Sequence, residues 1–189
     1  DRKVNLTKLE ENVRRLRKSG RINLHLDLVA GLPGDHYDSF LASIDRVVTF
    51  NPQHLQIEPV KLLPGSPLRD QATELQIRYD PNPPYTVLAS PELSFKELQQ
   101  LQEISRLIDL TYNSGCFENF LQELSAATGS FATGLAWLAG EWRKRDLFRF
   151  PLNRQAIFQN IFGFSISVIL SRAKNLPASL GGDPSLCSG

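Results

Sequence analysis

The hydrophobic period of this chain changes from about 3.6 to 2 at Arg21, and that change constrains the fold more than any other sequence feature. The segment Ile22–Leu28 carries apolar side chains at alternate positions, with Asn23, His25 and Asp27 between them. Strict alternation is typical of a β-strand with one apolar and one polar face. An antiparallel surface strand would alternate in the same way, with its polar face in water.

Helical patterns before and after this strand favour a parallel α/β connectivity instead. Apolar residues recur at helical spacing within 8–18 and again within Phe40–Val48. A second alternating strand follows, with Leu55 and Ile57 on its apolar face. The polar residues of this second strand are His54, Gln56 and Glu58. The order α-β-α-β predicts part of a parallel (β/α) barrel, in which apolar faces pack against the helices and polar faces point into the lumen.

Both predicted strands end in turns rich in Gly and Pro, which a barrel would place at its catalytic end. The first turn is Gly31–Gly34, before a helix that Asp35 is expected to cap, and the second is Pro64–Leu68. Glycine lets backbone approach a ligand, and free amides at a helix start favour an anion, so Gly31 is a candidate cofactor-binding residue. A tight turn without a ligand has the same sequence. The GxGxxG fingerprint of dinucleotide-binding proteins is absent.

Composition narrows the class of protein further. Lys and Arg number 21 against 20 Asp and Glu, a formal net charge of +1, so no overall field attracts nucleic acid or acidic lipid. The longest apolar stretch, Ile161–Leu170, is too short to span a bilayer, and no signal peptide pattern is present. We expect a cytoplasmic protein with no membrane partner, and the overall charge gives no evidence for a nucleic-acid partner, although it leaves a local charged patch open. The lack of methionine suggests a fragment of a longer protein.

The second half of the chain is predicted to be helical. Residues 1–80 are assigned to the barrel part, 81–150 to a small helical domain and 151–189 to a tail that begins as a helix. Ser94 and Glu97 have the spacing of a capping box. Residues 172–189 lose all periodicity and are predicted to be disordered.

Three motifs in this order resemble those of radical S-adenosylmethionine proteins. The segment His25–Asp35 resembles their D-L-I-x-G-L-P-G-[ED] strand, and Pro64–Leu68 resembles the P-G-[ST]-P-L loop after the next strand. The segment Asn82–Leu98 resembles the uncharacterised C-terminal region of a subgroup whose N-terminal domain binds cobalamin. The resemblance covers roughly residues 5–125.

The resemblance implies a metal-binding oxidoreductase that cleaves S-adenosylmethionine reductively at a [4Fe-4S] cluster to form a 5'-deoxyadenosyl radical. The family's cluster ligands come from a C-x3-C-x2-C motif early in the barrel, which is absent here. Cys116 and Cys187 cannot replace it, because a cluster needs several convergent thiolates. The chain is therefore expected to be inactive alone and to form a pocket together with the missing N-terminal half. That pocket would receive a small-molecule substrate. The resemblance to this subgroup adds cobalamin as a candidate cofactor of the intact protein.

Five side chains are candidates for contact with the cofactor or the substrate. Asp27 matches the strand carboxylate that contacts S-adenosylmethionine in some family members, and Val60 lies near the position that meets the adenine. Glu58 and Lys61 are candidates for contact with cofactor or substrate, and His25 is a candidate substrate ligand. The alternatives are an Asp27 paired with a neighbouring cation, a structural Lys61–Glu58 ion pair and a His25 that only lines the wall.

A non-enzymatic reading competes with this one. An α/β segment followed by a helical bundle could serve as a binding or scaffolding module. A hydrolase that uses the Gly31 turn as an oxyanion site is excluded, since no Ser or Cys lies in that turn and no G-x-S-x-G motif occurs.

Overall fold

A computed structural model of the chain describes residues 5–18 and 20–172. These residues form a mixed α/β structure with seven helices and two small sheets of two strands each. The chain divides into two compact units between Ser105 and Arg106, whereas the sequence analysis ends the barrel part at residue 80. Within the described residues, no helix is both long and apolar enough to cross a membrane.

The elements follow one another in a simple order along the chain. They are α1 (Leu6–Lys18), β1 (His25–Ala30), α2 (Tyr37–Val48), β2 (His54–Pro59), α3 (Pro67–Asp70), β3 (Arg78–Tyr79), β4 (Val87–Ala89), α4 (Phe95–Leu110), α5 (Glu118–Thr128), α6 (Phe131–Lys144) and α7 (Arg154–Arg172).

The strands β1 and β2 pair in parallel, as the sequence predicts. His25 lies opposite His54 and Ala30 lies opposite Pro59, so the two strands are in register over their full length. The strand β1 begins at His25, later than the alternation from Ile22 indicates. The chain bends before β1, and this bend leaves Ile22 outside the sheet and 45% exposed. The mixed α/β class is confirmed, and the barrel remains a prediction.

The apolar faces of these strands are covered, and their burial explains the alternation. Leu55 and Ile57 of β2 are buried, as are Phe40 and Ile44 of the amphipathic α2. A smaller cluster joins α1 to the start of β1. Its members are Val13, Leu24 and Phe50, with Leu26 packed against them. Removal of this apolar surface from water is the main contribution to the stability of the unit.

Beyond β2 the chain forms a short antiparallel arrangement that the sequence analysis does not contain. Lys61 lies opposite Thr86 in an antiparallel bridge, and β3 pairs antiparallel with β4. The first part of the region predicted to be helical from residue 81 is thus not helical, since residues 81–94 contain turns, bends and the strand β4. Helical structure begins with α4, whose start carries the predicted Ser94–Glu97 capping box.

The described residues of the second unit are mainly helical, as the sequence predicts. Helices α5 and α6 pack closely at Gly134, where a Cβ atom would lie 2.9 Å from Cγ of Leu124. Trp142 of α6 is fully buried beside Phe148, with 5.7 Å between ring centroids, and is therefore a core residue. The predicted helical start of the tail is confirmed by α7. The disorder predicted for residues 172–189 is wrong at Arg172, which is the last residue of α7. The rest of that range, 173–189, lies outside the described residues.

Candidate functional site

The polar residues of β1 and β2 share one face of the parallel sheet. Asp27 lies opposite Gln56, and Val29 lies opposite Glu58. Paired residues of neighbouring strands point to the same side of a sheet, and so do residues two apart along one strand. His25, Asp27 and Val29 are exposed on this face. The structure therefore brings the carboxylates of Asp27 and Glu58 to the same surface.

The two carboxylates differ in their surroundings, and Glu58 already has partners. Nε2 of Gln56 donates a hydrogen bond to Oε1 of Glu58 at 2.6 Å, and Nζ of Lys61 lies 3.5 Å from Oε2. The Lys61–Glu58 pair that the sequence left as an alternative is present. Its side chains are 45% and 44% exposed, so the pair contributes little to stability.

Asp27 is the carboxylate that is open to a ligand. Among the described residues its side chain has no hydrogen-bond or ion-pair partner, and the residue is exposed at the middle of β1. The paired state considered from the sequence is therefore not formed within this part of the chain. An ionised carboxylate in this position can accept hydrogen bonds from hydroxyl groups or from an ammonium group.

His25 lies at the far end of the same face. Its ring stacks on the ring of His54, with 5.1 Å between centroids. Five strand positions separate it from Ala30, whose carbonyl accepts the amide of Val60, a distance of roughly 17 Å at about 3.3 Å per residue. The structure thus brings His25 near Asp27 but not to the end of β2.

The Gly31 turn is occupied by the protein itself. The amides of Gly31 and Leu32 donate to Oδ2 of Asp35 at 3.1 and 3.0 Å. Because its carboxylate binds back into the turn, Asp35 does not cap α2, and His36 takes that position. A Cβ atom at Gly31 would lie 2.7 Å from Cγ1 of Val87, so the space beside this glycine is filled by side chains.

Val60 is buried and is held by backbone pairing. Its amide donates to the carbonyl of Ala30 at 2.8 Å, and its own carbonyl accepts the amide of Val87 at 2.9 Å. Its side chain is only 7% exposed. The exposed candidates at this end of β2 are therefore Glu58 and Lys61.

The sequence analysis missed a cluster around the Pro64–Leu68 loop. The guanidinium of Arg69 lies over the rings of Tyr79 and Tyr85, and its Nη1 donates to the carbonyl of Leu62. We call these four residues the Arg69 clamp. An arginine with two later tyrosines is too common a pattern to indicate contact, so the sequence carried no signal for it.

The described residues do not supply ligands for an iron-sulfur cluster. Within them, no group of three or more His, Cys, Asp or Glu side chains could hold a metal ion. The whole sequence contains 2 cysteines, fewer than a cluster requires.

Comparison with known proteins gives one match. A family model described as "Protein of unknown function (DUF4080)" matches residues 73–180, which is more than half of the chain. The matched region begins just before β3 and includes β4, α4, α5 and α6. No curated protein and no solved structure matches the chain.

Proposed function

This chain belongs to the DUF4080 family of proteins of unknown function, and on that premise we propose that it is part of a radical S-adenosylmethionine enzyme. It supplies two late strands of the barrel and one wall of the cofactor and substrate pocket. The remaining strands and the cluster ligands come from residues outside this chain. The segment Asn82–Leu98, which resembles a region of the cobalamin-binding subgroup, lies inside the family match, so cobalamin is included as a second cofactor of the intact protein.

The observation that carries the proposal is the shared polar face of β1 and β2. In a (β/α) barrel the lumen is lined by alternate side chains of parallel strands, and ligands bind at their carboxyl ends. The in-register parallel pairing turns His25, Asp27 and Glu58 to one side. On the other side, Leu55 and Ile57 of β2 are buried, and Leu26 of β1 packs, partly buried, against a core cluster. An open carboxylate on such a face is what a lumenal ligand site requires.

The four candidates that are at least partly exposed have defined parts in the proposal. Asp27 accepts hydrogen bonds from the ribose hydroxyls or the ammonium group of S-adenosylmethionine. Glu58 and Lys61 form an exposed ion pair that exchanges partners with cofactor or substrate, and His25 contacts the substrate at the far end of the face. S-adenosylmethionine bound there supplies the radical chemistry, at a cluster held by other residues.

The experiment starts from the intact protein that contains this chain. Its coding sequence should contain C-x3-C-x2-C within the roughly 150 residues before Asp1, about one domain length. After anaerobic reconstitution with iron and sulfide, the protein should release 5'-deoxyadenosine from S-adenosylmethionine. Formation of S-adenosylhomocysteine as well would indicate methyl transfer. An unrelated domain before Asp1, with neither product formed, would support the binding or scaffolding module instead.

A pair of variants tests the assignment of Asp27. Asp27→Asn removes the negative charge while keeping the size of the side chain, and should weaken S-adenosylmethionine binding roughly 10- to 100-fold, the range for a lost charge-assisted hydrogen bond. Asp38→Asn is the matched control, since Asp38 is an exposed residue in the first turn of α2. Equal affinities in the two variants would remove Asp27 from the site. Binding is measured by isothermal titration of the reconstituted protein.

A further inference from the structure

The Arg69 clamp fixes the loop after β2 from three directions. The guanidinium carbon of Arg69 lies 5.1 Å from the ring centroid of Tyr79 and 4.8 Å from that of Tyr85. Its Nη1 donates to the carbonyl of Leu62 at 3.1 Å. A planar guanidinium can lie over aromatic rings and donate along its edge at the same time, which the compact ammonium of a lysine cannot do.

The backbone of Arg69 is itself fixed. Its amide donates to the hydroxyl of Ser66, which caps the short helix α3, and also to the carbonyl of Ser66. The amide of Ser66 in turn donates to the carbonyl of Leu63. The Pro64–Leu68 loop therefore holds Arg69 in place, and the side chain of Arg69 connects this loop to the segment that contains the two tyrosines.

That segment is paired with the end of β2, where two of the candidate residues lie. The amide of Leu62 donates to the carbonyl of Tyr85 at 2.8 Å, and the amide of Val87 donates to the carbonyl of Val60 at 2.9 Å. Lys61 lies between these two bonds. The candidate residues Val60 and Lys61 thus depend for their position on the pairing that the Arg69 clamp closes.

We propose that Arg69 is a positioning residue for the cofactor pocket, and that the segment Arg78–Val87, at the start of the DUF4080 region, forms a wall of that pocket. The inference rests on the proposed function. Arg69 acts through the backbone of Val60 and Lys61 and does not itself contact the cofactor. This gives the beginning of the family-specific region a role, which is to hold the end of β2 in the geometry that receives S-adenosylmethionine.

The first measurement is amide hydrogen exchange in the present chain, because it reports the pairing directly. Arg69→Ala should speed the exchange of the Leu62 and Val87 amides roughly tenfold, the order expected for losing contacts with two aromatic rings. Arg69→Lys keeps the charge but loses the planar fork, and should not restore protection. Arg14→Ala removes an exposed arginine that also lies over an aromatic ring, that of Phe50, and should leave both amides unchanged.

The second measurement uses the reconstituted intact protein. Arg69→Ala should raise the KM for S-adenosylmethionine roughly tenfold, as small displacements of binding groups do, with the iron content and the folded fraction unchanged. A purely structural role would lower the folded fraction and leave KM per folded enzyme unaltered. The Arg14→Ala protein should keep the wild-type KM.

The outcomes separate this inference from the function on which it rests. Unchanged exchange in Arg69→Ala, or faster exchange with an unchanged KM, overturns the role of Arg69 while the wild-type enzyme still turns over S-adenosylmethionine. A wild-type intact protein that neither binds nor cleaves S-adenosylmethionine overturns the proposed function, and that result is obtained before any variant is made.

Discussion

Gly31 combines a left-handed backbone with a close contact, so its replacement has two separable costs. Its φ is +92°, and a Cβ atom would lie 2.7 Å from Cγ1 of Val87. Gly31→Ala should lower the free energy of unfolding by about 1–2 kcal/mol for the backbone and by about 1–3 kcal/mol more for overpacking. Gly34 has a φ of +84°, and a Cβ atom built there would meet nothing within 4 Å. Gly34→Ala should therefore show only the cost of the left-handed backbone.

Urea unfolding of the two variants, monitored by NMR signals from β1, measures the free-energy cost of the left-handed backbone and that of overpacking. The difference between them isolates the contact of Gly31 with Val87. Equal losses would mean that Val87 moves aside freely, and that close packing does not explain the glycine.

The surroundings of Glu97 lower the pKa of its carboxyl group. The pKa of Glu97 lies below its ordinary value mainly because the Ser94 hydroxyl and then the Ser94 amide donate hydrogen bonds to its carboxylate. The charge of His36 lowers the pKa slightly further, and burial opposes these effects weakly. Ser94→Ala should therefore raise the pKa of Glu97 toward that value in an NMR titration. Ser43→Ala, on the exposed side of α2, should leave this pKa unchanged.

The sign of the stability effect follows from the depressed pKa. A carboxyl group that is more acidic in the folded than in the unfolded state contributes stability above its unfolded pKa, and that contribution is lost as the pH falls through its folded pKa. The stability difference between the wild type and Ser94→Ala should thus be largest near neutral pH and smaller in acid. A difference that does not vary with pH would assign the whole effect to the cap hydrogen bond from the Glu97 amide to Ser94.

At the scale of elements, α6 contains two glycines with opposite expected effects. A Cβ atom on Gly134 would lie 2.9 Å from Cγ of Leu124 and 3.0 Å from Oγ1 of Thr128, both on α5. Gly134→Ala should therefore lower the unfolding temperature, since overpacking of about 1–3 kcal/mol exceeds the helical preference of alanine. A Cβ atom on Gly140 would meet no atom within 4 Å, so Gly140→Ala should stabilise the helix by about 0.5–1 kcal/mol.

Thermal unfolding followed by circular dichroism compares these two proteins with the wild type. Stabilisation by both substitutions would show that α5 and α6 can move apart at little cost. The close approach at Gly134 would then not be a determinant of their packing.

The elements that could be predicted are those with local signals. Alternation over Leu24–Leu28 and Leu55–Ile57 identifies β1 and β2, and the Ser94–Glu97 capping box identifies the start of α4. The strands β3 and β4 have two and three residues, which is too short for any period to be visible. They exist because the chain after β3 returns to pair with the end of β2, and that contact is not encoded near either segment.

At the scale of the whole molecule, the sequence predicted which side chains share a face better than which are accessible. The parallel pairing follows from the helical patterns that flank the two alternating strands, so the sequence could place Asp27 and Glu58 on one face. The occupied turn at Gly31 and the burial of Val60 depend on Val87, more than fifty residues from Gly31 and in a separate element. Contacts of this range need the tertiary structure, which is also why the first compact unit extends to Ser105.

We expect the chain as a whole to need further residues before it can hold an iron-sulfur cluster. Incubated anaerobically with iron and sulfide, then desalted, the chain alone should retain no iron-sulfur absorbance, because 2 cysteines cannot supply the thiolates of a [4Fe-4S] cluster. The intact protein, treated in parallel, should retain about four iron atoms per chain, one cluster's content. The urea-unfolded chain controls for loosely bound iron. A folded chain that keeps stoichiometric iron and sulfide would contradict the division of labour proposed here, since the cluster would then belong to this segment.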